Sequence, residues 1–350
     1  MSLPGTADPA VFDEDSLRQA LADAVGAVDA PDVVFALSHG GRRLVVPGGT
    51  GPRPAVPRER ARYEIGSASK TFTGLVLARL VEAGRLSGSE PAARWLDPAG
   101  RVGRAAPTPT HLITHTSGLP RLPADFYPRA ARSWSTNPYA DYPAHRLVGS
   151  FLRARPRHRP GTRWRYSNFG VAALGHVLAE ATGTEWEELV AREVLRPLRL
   201  DGTALSPGGP DTDARGHRSD GVRPVPPLDT GGFAAAGAVR ATPDDLLTYL
   251  EAHLRPDGHP SAGALRAVLR PVLRRGPGRR EVHSLTWFRH ATDAGPVYFH
   301  SGATSGQQAF LGLRPDTGTA LVALSTRRFR MRDGFVALAY GLLAGAPAPV

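Results

Sequence analysis

Ser67 and Lys70 are the two residues whose types and spacing most directly suggest chemistry. They lie three positions apart in YEIGSASKTFTG, residues 63–74, and Lys70 is the single lysine among 43 lysine and arginine residues. Residues three apart at the start of a helix are neighbours on one face. Burial and the positive end of the helix dipole both disfavour a charged ammonium, so we expect Lys70 to accept the Ser67 proton.

Arginine could not replace Lys70 in this task, because a guanidinium does not lose its proton in proteins. The pair therefore predicts a serine nucleophile with a lysine base. In the alternative interpretation, Ser67 only caps the helix and Lys70 is a surface cation. The spacing alone does not decide between the two.

Tyr166 and Asn168 form a second candidate group, in WRYSNFG just before an apolar helix expected over 169–181. We expect the Tyr166 phenol to lie beside Ser67 as a proton relay, and the Asn168 amide to contact a substrate carbonyl. The alternative is that Asn168 only caps the helix, since asparagine is common at that position.

A third group lies where a strand ends, at His300, Ser301 and Gly302 in YFHSGATSG. A lone histidine at a strand end is more often structural than functional, so this group is weak evidence for a site by itself.

His115, Ser117 and Gly118 resemble a second serine and histidine pair, but we interpret them as scaffold, at a helix end closed by Gly118 and Pro120. Trp287 fits the cleft and the core equally well.

The elements that must position these groups predict an α+β fold. Helices are expected at 13–28, 68–82, 242–254 and 333–344, and DVVFALS and RRLVVPG predict a hairpin. A short strand is expected at RYEIG, and the apolar runs at 282–288, 296–300, 307–314 and 319–325 predict further antiparallel strands. The helix at 68–82 is apolar nearly all round, which is typical of a central, buried helix.

The order of these elements predicts two lobes. Residues 1–75 and 235–350 would form an antiparallel sheet flanked by the first and last helices, and residues 76–234 an inserted, mainly helical lobe. A cleft between the lobes is then the expected ligand site.

Ser67-x-x-Lys70, Tyr166-x-Asn168 and His300-x-Gly302, in this order, resemble the three motifs of the serine β-lactamase and penicillin-binding-protein superfamily. The class C-like branch, which contains D-alanyl-D-alanine carboxypeptidases, class C β-lactamases and related esterases and acyltransferases, is the most similar. The resemblance covers residues 12–345 and includes the segments THLITHTSGLP and AAGAVRATPDDLLTYL.

The resemblance implies a β-lactamase/transpeptidase-like fold in which Ser67 forms an acyl-enzyme while Lys70 and Tyr166 move the proton. It implies substrate binding by Asn168, His300, Ser301 and Gly302, and an oxyanion hole made by the backbone N–H groups of Ser67 and Ala303. We expect no cofactor and no metal ion. His300 departs from the lysine that often begins the third motif, which weakens a β-lactamase interpretation without excluding a peptidase.

Composition excludes several other classes. The chain has 350 residues, no cysteine and a net charge of +11, so neither a disulfide framework nor a zinc–thiolate site can form. The basic runs at 153–166 and 270–280 are interrupted by proline and glycine, which is typical of solvated loops, so we expect no nucleic-acid partner. The sequence has no signal-peptide pattern and no apolar run long enough for a membrane span, which predicts a cytoplasmic protein without membrane contact.

The leading hypothesis is a serine hydrolase or acyltransferase acting on an intracellular amide, ester or thioester, with water or a small molecule as acceptor, in specialised metabolism. One alternative is a D-amino-acid peptidase, carboxypeptidase or β-lactamase, if the protein is exported. A catalytically silent ligand-binding homologue is the other.

Overall fold

A computed structural model describes residues 14–100, 106–275, 281–292, 295–330 and 333–345. Its main feature is an eight-stranded antiparallel sheet in the order β2-β1-β11-β10-β9-β8-β7-β6, with a small sheet in the order β3-β5-β4. The strands are β1 (Val33–His39), β2 (Arg42–Gly48), β3 (Tyr63–Glu64), β4 (Thr203–Ala204), β5 (Arg240–Ala241), β6 (Leu273–Arg275), β7 (Glu281–His283), β8 (Phe288–Thr292), β9 (Gly295–Ala303), β10 (Gln308–Arg314) and β11 (Thr319–Ser325).

Thirteen α-helices occur within the described ranges. They are α1 (Glu14–Ala27), α2 (Ser69–Glu82), α3 (Ala93–Leu96), α4 (Pro109–Ile113), α5 (Phe126–Ala130), α6 (Ala144–Arg153), α7 (Asn168–Thr182), α8 (Trp186–Val190), α9 (Arg196–Leu198), α10 (Ala234–Gly237), α11 (Pro243–Leu254), α12 (Ala262–Leu269) and α13 (Phe335–Ala344). The described residues also include short 3₁₀ turns at Gly66–Ala68, Gly231–Phe233 and Pro315–Thr317 and a π-helical turn at Ala191–Leu195. None of the described helices combines the length and apolar character that crossing a bilayer requires.

The central strands of the large sheet are apolar along their length because both faces are covered. Strand β1 pairs with β2 as the expected hairpin and with β11 on its other side. Its residues alternate between two cores: Val34 and Ala36 belong to one, and Val33 and Phe35 to the other. Helices α1 and α13 pack on the second core, and α2, α11 and α12 contribute to the first. The predicted α+β class is therefore confirmed.

Helix α2 is the central element, as its apolar sequence predicts. Most of it is buried, including Phe72, Leu75 and Val76. The chain leaves it through Gly84, whose φ of +64° is the left-handed conformation that glycine adopts readily after a helix. Because α2 is buried, Ser67, which lies two residues before its first residue, is fixed to the core of the protein. The predicted division into two lobes at 75 and 235 stays a prediction.

Three expectations were wrong in detail. The apolar run 282–288 is not one strand, because β7 ends at His283 and a tight turn, with Ser284 N–H donating to Trp287 O at 3.0 Å, separates it from β8. The basic run 270–280, expected as loop, contributes β6, which pairs with β7; residues 276–280 lie outside the described residues. Near 115, α4 ends at Ile113 and His115, not Gly118, takes the first left-handed position, at φ 59°.

The small sheet holds a buried arginine. Arg240 on β5 is 1% exposed, and its Nη1 lies 3.6 Å from a carboxylate oxygen of both Glu64 and Asp213. Leu228 is held from both sides: its N–H donates to Glu64 at 2.7 Å, and its carbonyl accepts from Arg240 Nη2 at 2.6 Å. Glu64 lies three residues before Ser67, so this cluster supports the strand that leads to the site.

Candidate active site

The 3₁₀ turn Gly66–Ala68 positions Ser67 at the start of α2. Gly66 has a φ of +50°, and a Cβ atom there would lie 2.6 Å from the carbonyl oxygen of Ala303. A Cβ on Gly302 would overlap the carbonyl oxygen of Ile65 and lie 2.8 Å from the backbone nitrogen of Ser67. Only glycines at both positions let the end of β9 lie directly against the Ser67 backbone.

Ser67 Oγ lies within hydrogen-bond distance of two polar side chains. Lys70 Nζ is 3.0 Å away, and the Tyr166 hydroxyl donates to the same oxygen at 2.7 Å. The one-turn separation of Ser67 and Lys70 and the position of Tyr166 are therefore as the sequence predicts. A serine hydroxyl with two proton-exchanging partners can lose its proton to one and receive another from its neighbour.

Lys70 is completely buried, and its remaining hydrogen bond goes to the carbonyl oxygen of Ala236 at 2.7 Å. Within the described part of the chain, no carboxylate forms an ion pair with it. Burial holds the pKa of Lys70 well below its ordinary value, and the positive charge of Arg121 lowers it further. A neutral amine at this place has a lone pair for the Ser67 proton while one of its N–H bonds points to Ala236.

Tyr166 responds to burial in the opposite sense. Burial raises the pKa of its phenol to about 12, although the hydrogen bond to Ser67 and the charge of Arg121 oppose the change. Its ring lies against His115, at 4.4 Å between centroids, and the Arg121 guanidinium is 5.9 Å from the ring centroid. At neutral pH Tyr166 is therefore a proton donor, and Lys70 is the group that more readily reaches its basic form.

Asn168 is the first residue of α7, and its side chain does not cap that helix. Ser167 is the cap, since its Oγ accepts from the Gly170 N–H at 2.9 Å. The Asn168 amide nitrogen donates to the Tyr139 hydroxyl at 3.2 Å, and its amide oxygen is buried without a hydrogen-bond partner among the described residues. The Tyr139 hydroxyl can accept from the amide nitrogen, as it does here, or donate to the amide oxygen. The end of the Asn168 amide that Tyr139 does not bind is then available to a ligand.

The third predicted group is only partly at the site. Ala303 lines the cleft, and Gly302 packs against the Ser67 turn, whereas the side chains of His300 and Ser301 are not among the cleft-lining residues. His300 is buried, its Nδ1 donates to the Ser301 carbonyl at 2.7 Å, and its ring packs on Phe288. Burial lowers the pKa of His300 to about 3, so the ring is neutral at pH 7.

Two neighbours of the site, His115 and Arg121, were not among the predicted site residues. His115 supports Tyr166, and its Nδ1 accepts from the Ser167 N–H at 3.2 Å, which leaves the other ring nitrogen protonated in a neutral ring. Burial keeps the pKa of His115 well below its usual value. Arg121 is hidden among many arginines, although its place directly after THTSGLP was the available clue. Trp287 belongs to the core, where it is fully buried near Tyr249.

A cleft of about 550 Å³ opens above Ser67. Asn168 lines it together with Ser67, and its walls come from several segments that are distant in sequence. Those wall residues include Arg121, Leu122, Phe126, Tyr127, Trp134, Tyr139, Leu228, Phe233, Ala303, Arg328 and Phe329.

The family model named Beta-lactamase matches residues 17–346 of this sequence. The chain belongs to the Beta-lactamase family. The resemblance that the three motifs carry is thereby confirmed. The fold agrees with it: a solved class C β-lactamase superposes with a TM-score of 0.81 over 98% of this chain and 100% of its own, at 19% identity.

Curated members of the family show the range of related proteins. The chain is 25% identical to AmpH of Escherichia coli K12, described as a D-alanyl-D-alanine carboxypeptidase/endopeptidase, over 83% of this chain and 79% of that one. It is 30% identical to a β-lactamase of Pseudomonas fluorescens over 57% of this chain and 52% of that one. A β-lactamase/D-alanine carboxypeptidase of Pseudomonas syringae superposes with a TM-score of 0.79 at 21% identity, covering 95% and 99% of the two chains.

Proposed function

We propose that this Beta-lactamase family protein is a serine hydrolase or acyltransferase. Its substrate would be a small amide, ester or thioester, and Ser67 would carry the acyl group. The observation that carries the proposal is the contact of Ser67 Oγ with both Lys70 Nζ, at 3.0 Å, and the Tyr166 hydroxyl, at 2.7 Å.

In the acylation step, neutral Lys70 accepts the Ser67 proton as Oγ attacks the substrate carbonyl carbon. The carbonyl oxygen becomes an oxyanion, and the bond to the leaving group breaks as that anion collapses back to a carbonyl. The leaving group takes a proton from Tyr166, and the resulting phenolate recovers one from protonated Lys70, whose Nζ lies 5.1 Å from the Tyr166 ring centroid. Water, or a small alcohol or amine, then attacks the acyl carbonyl carbon and gives its proton to Lys70 or Tyr166, and Ser67 Oγ takes a proton back from them as the acyl group leaves.

The oxyanion hole would consist of the backbone N–H groups of Ser67 and Ala303. The close approach of Gly66 to Ala303, and of Gly302 to Ser67, supports this assignment, because it brings the two backbone segments together at the cleft floor. Each donor in such a hole typically contributes about a hundredfold or more to the rate. Asn168, with one amide end unpartnered, would orient the substrate beside the scissile carbonyl. Gly302 would act through its backbone, whereas buried His300 would support the end of β9.

A second candidate function is D-amino-acid peptidase or β-lactamase activity. The descriptions of AmpH and of the two Pseudomonas proteins as carboxypeptidases and β-lactamases favour it. The neutral state of His300 means that this side chain offers no positive charge to the carboxylate of a peptide or β-lactam, so another group would have to bind that carboxylate. A silent binding homologue is disfavoured by the intact contact of Ser67 with Lys70 and Tyr166.

Intact-mass spectrometry tests the acyl-enzyme directly. The protein is incubated with p-nitrophenyl esters, D-amino-acid amides and β-lactams, and with a fluorophosphonate that labels activated serines. We expect an adduct on the wild-type chain and none on Ser67→Ala. Ser117→Ala is a matched control, since Ser117 is buried away from the cleft lining, and it should label as the wild type does. If neither the wild type nor the control is labelled, the proposal is contradicted. The class of compound that acylates Ser67 distinguishes the first candidate function from D-amino-acid peptidase or β-lactamase activity.

The acceptor and the location need separate tests. Adding a small amine or alcohol during turnover distinguishes transfer from hydrolysis, because transfer yields a new ester or amide at the expense of the free acid.

A cytoplasmic location stays a prediction, and fractionation of the natural host would test it. A role in specialised metabolism is likewise a proposal, which the identity of the acyl donor would support or remove.

A further inference from the structure

The cleft above Ser67 has an unusual lining for an exposed surface. Seven large hydrophobic side chains are markedly exposed among the described residues, and the three aromatic ones all lie here: Tyr127 at 49%, Trp134 at 47% and Phe329 at 49%. The rings of Tyr127 and Trp134 stack at 6.2 Å between centroids. Exposed apolar residues that gather in one place indicate a binding surface, whereas scattered ones do not. We define these three residues as the aromatic wall.

The same cleft is positively charged. Arg121 and Arg328 line it, and no aspartate or glutamate is among the lining residues that the structure describes. Neither arginine forms an ion pair with a carboxylate of the described residues. The Arg328 side chain donates a hydrogen bond from Nη1 to the Ser135 carbonyl at 3.1 Å, which connects the Phe329 side of the mouth to the Trp134 side.

Arg121 is a charged residue of the cleft lining that lies next to one of the reacting groups. It is exposed, its guanidinium lies 5.9 Å from the centroid of the Tyr166 ring, and its field acts on both Lys70 and Tyr166. His300 is neutral and Lys70 is completely buried, so neither offers an accessible positive charge to a ligand. An exposed guanidinium in the cleft lining, with no carboxylate of the described residues paired to it, is suited to a ligand carboxylate through paired N–H donors.

From the aromatic wall and Arg121 together, we infer that the cleft selects acyl donors that combine an aromatic group with a carboxylate. The aromatic group stacks on Tyr127, Trp134 and Phe329, and the carboxylate lies on Arg121, beside Tyr166 and therefore on the leaving-group side. This inference deepens the proposed function and depends on it. It assigns Arg121 as a specificity-determining residue and the aromatic wall as the binding surface for the acyl group.

Four chromogenic esters separate the two parts of the inference. The acyl group is acetyl or phenylacetyl, and the leaving group is p-nitrophenol or its carboxylated analogue, 3-carboxy-4-nitrophenol. Comparing kcat/KM within each pair, after division by the spontaneous hydrolysis rate, removes the intrinsic reactivity of each ester. We expect the wild type to prefer the carboxylated leaving group by about tenfold, as one exposed charge-assisted contact supplies. It should prefer phenylacetyl over acetyl by a similar factor.

Arg121→Gln should reduce the carboxylate preference to about one while keeping the phenylacetyl preference. The ratio of kcat/KM values is compared because Arg121 also lowers the pKa of Lys70, so its loss can change the acylation rate of every ester. That change is shared by two esters with the same acyl group and cancels from their ratio. Arg129→Gln is the matched control: it is an exposed arginine of α5 outside the cleft lining, and its ratios should equal those of the wild type. Added salt should lower the carboxylate preference of the wild type as well.

Trp134→Ala should reduce the phenylacetyl preference severalfold and leave the carboxylate preference in place. Val222→Ala, at the most exposed large apolar residue outside the cleft, is its control. Acylation by all four esters with every ratio near one would overturn the inference and leave the proposed function standing. Ratios that Arg121→Gln and Trp134→Ala do not change would also overturn it. Acylation by none of the four would instead count against the proposed function.

Discussion

Lys70 and Arg240 are both buried cations, but their surroundings differ in one decisive respect. Lys70 is fully buried and contacts only a hydroxyl and a carbonyl oxygen through its hydrogen bonds. Arg240 is 1% exposed and lies 3.6 Å from two carboxylates. A buried amine without counter-charge tends to lose its proton, whereas an arginine keeps its charge and must be compensated. The same burial therefore produces a base at one place and a fixed structural charge at the other.

Among the substitutions that test this difference between Lys70 and Arg240, those of Lys70 should have the largest effect, and that effect is on catalysis. Lys70→Arg keeps a positive charge but supplies no base, so we expect the rate of Ser67 acylation to fall by about a thousandfold or more. The burst of p-nitrophenol from an activated ester measures it. Because arginine is larger than lysine, Lys70→Met is made in parallel, with circular dichroism and thermal unfolding as checks on folding. A wild-type burst in folded Lys70→Arg would refute the assignment of Lys70 as base.

The next largest effect concerns the arginine. Arg240→Met leaves buried Glu64 without its cation and leaves Asp213 paired with Arg62 alone, and we expect the free energy of unfolding to fall by about 3–5 kcal/mol. Urea denaturation measures it. Arg223→Met is the control, since Arg223 pairs with Asp220 at the surface and such pairs contribute only about 0–1 kcal/mol. A loss for Arg240→Met as small as that of the control would show that the cluster does not stabilise the fold.

The smallest effect is a pH dependence of stability. The folded-state pKa of Lys70 lies well below that of the unfolded chain, so between the two values the unfolded state binds more protons. In that window, the stability of the wild type relative to Lys70→Met should rise with pH by about 1.4 kcal/mol per unit. Below the lowered pKa the difference is constant, and the wild type is at its greatest disadvantage.

Urea denaturation of both proteins at several pH values checks this linkage, since all other titrating groups are common to the two chains. A difference that stays flat up to pH 10 would mean that Lys70 is charged in the folded protein. The acylation rate of the wild type should rise through the same lowered pKa, because only the neutral amine accepts the Ser67 proton.

The sequence predicts the centre of the site better than its surroundings. Ser67 and Lys70 could be placed together because helical geometry relates residues three apart. The glycines at 66 and 302 are explained only by the approach of β9 to the Ser67 turn, a contact between segments more than 200 residues apart. Apart from its place directly after THTSGLP, nothing in the sequence distinguishes Arg121 from the other arginines, because its importance comes from where the loop after α4 lies.

Strand boundaries show the same limit. The run 282–288 is apolar because Trp287 enters the core within a turn, not because it continues a strand. Strand β6, in contrast, lies in a basic, polar stretch and exists through its pairing with β7. Whether a short segment becomes a strand depends on the neighbour that it pairs with, and the local sequence does not contain that neighbour.

Leu228 offers a route by which this protein can change its substrate. Its backbone N–H and carbonyl are both held by the buried cluster of Glu64 and Arg240, while its side chain lines the cleft. Because these hydrogen bonds go to backbone groups that every residue except proline retains, a smaller or larger residue at 228 would alter the volume of the cleft without moving its wall. Position 228 is thus where evolution or engineering can adjust the size of the acyl donor while the chemistry at Ser67 is left intact.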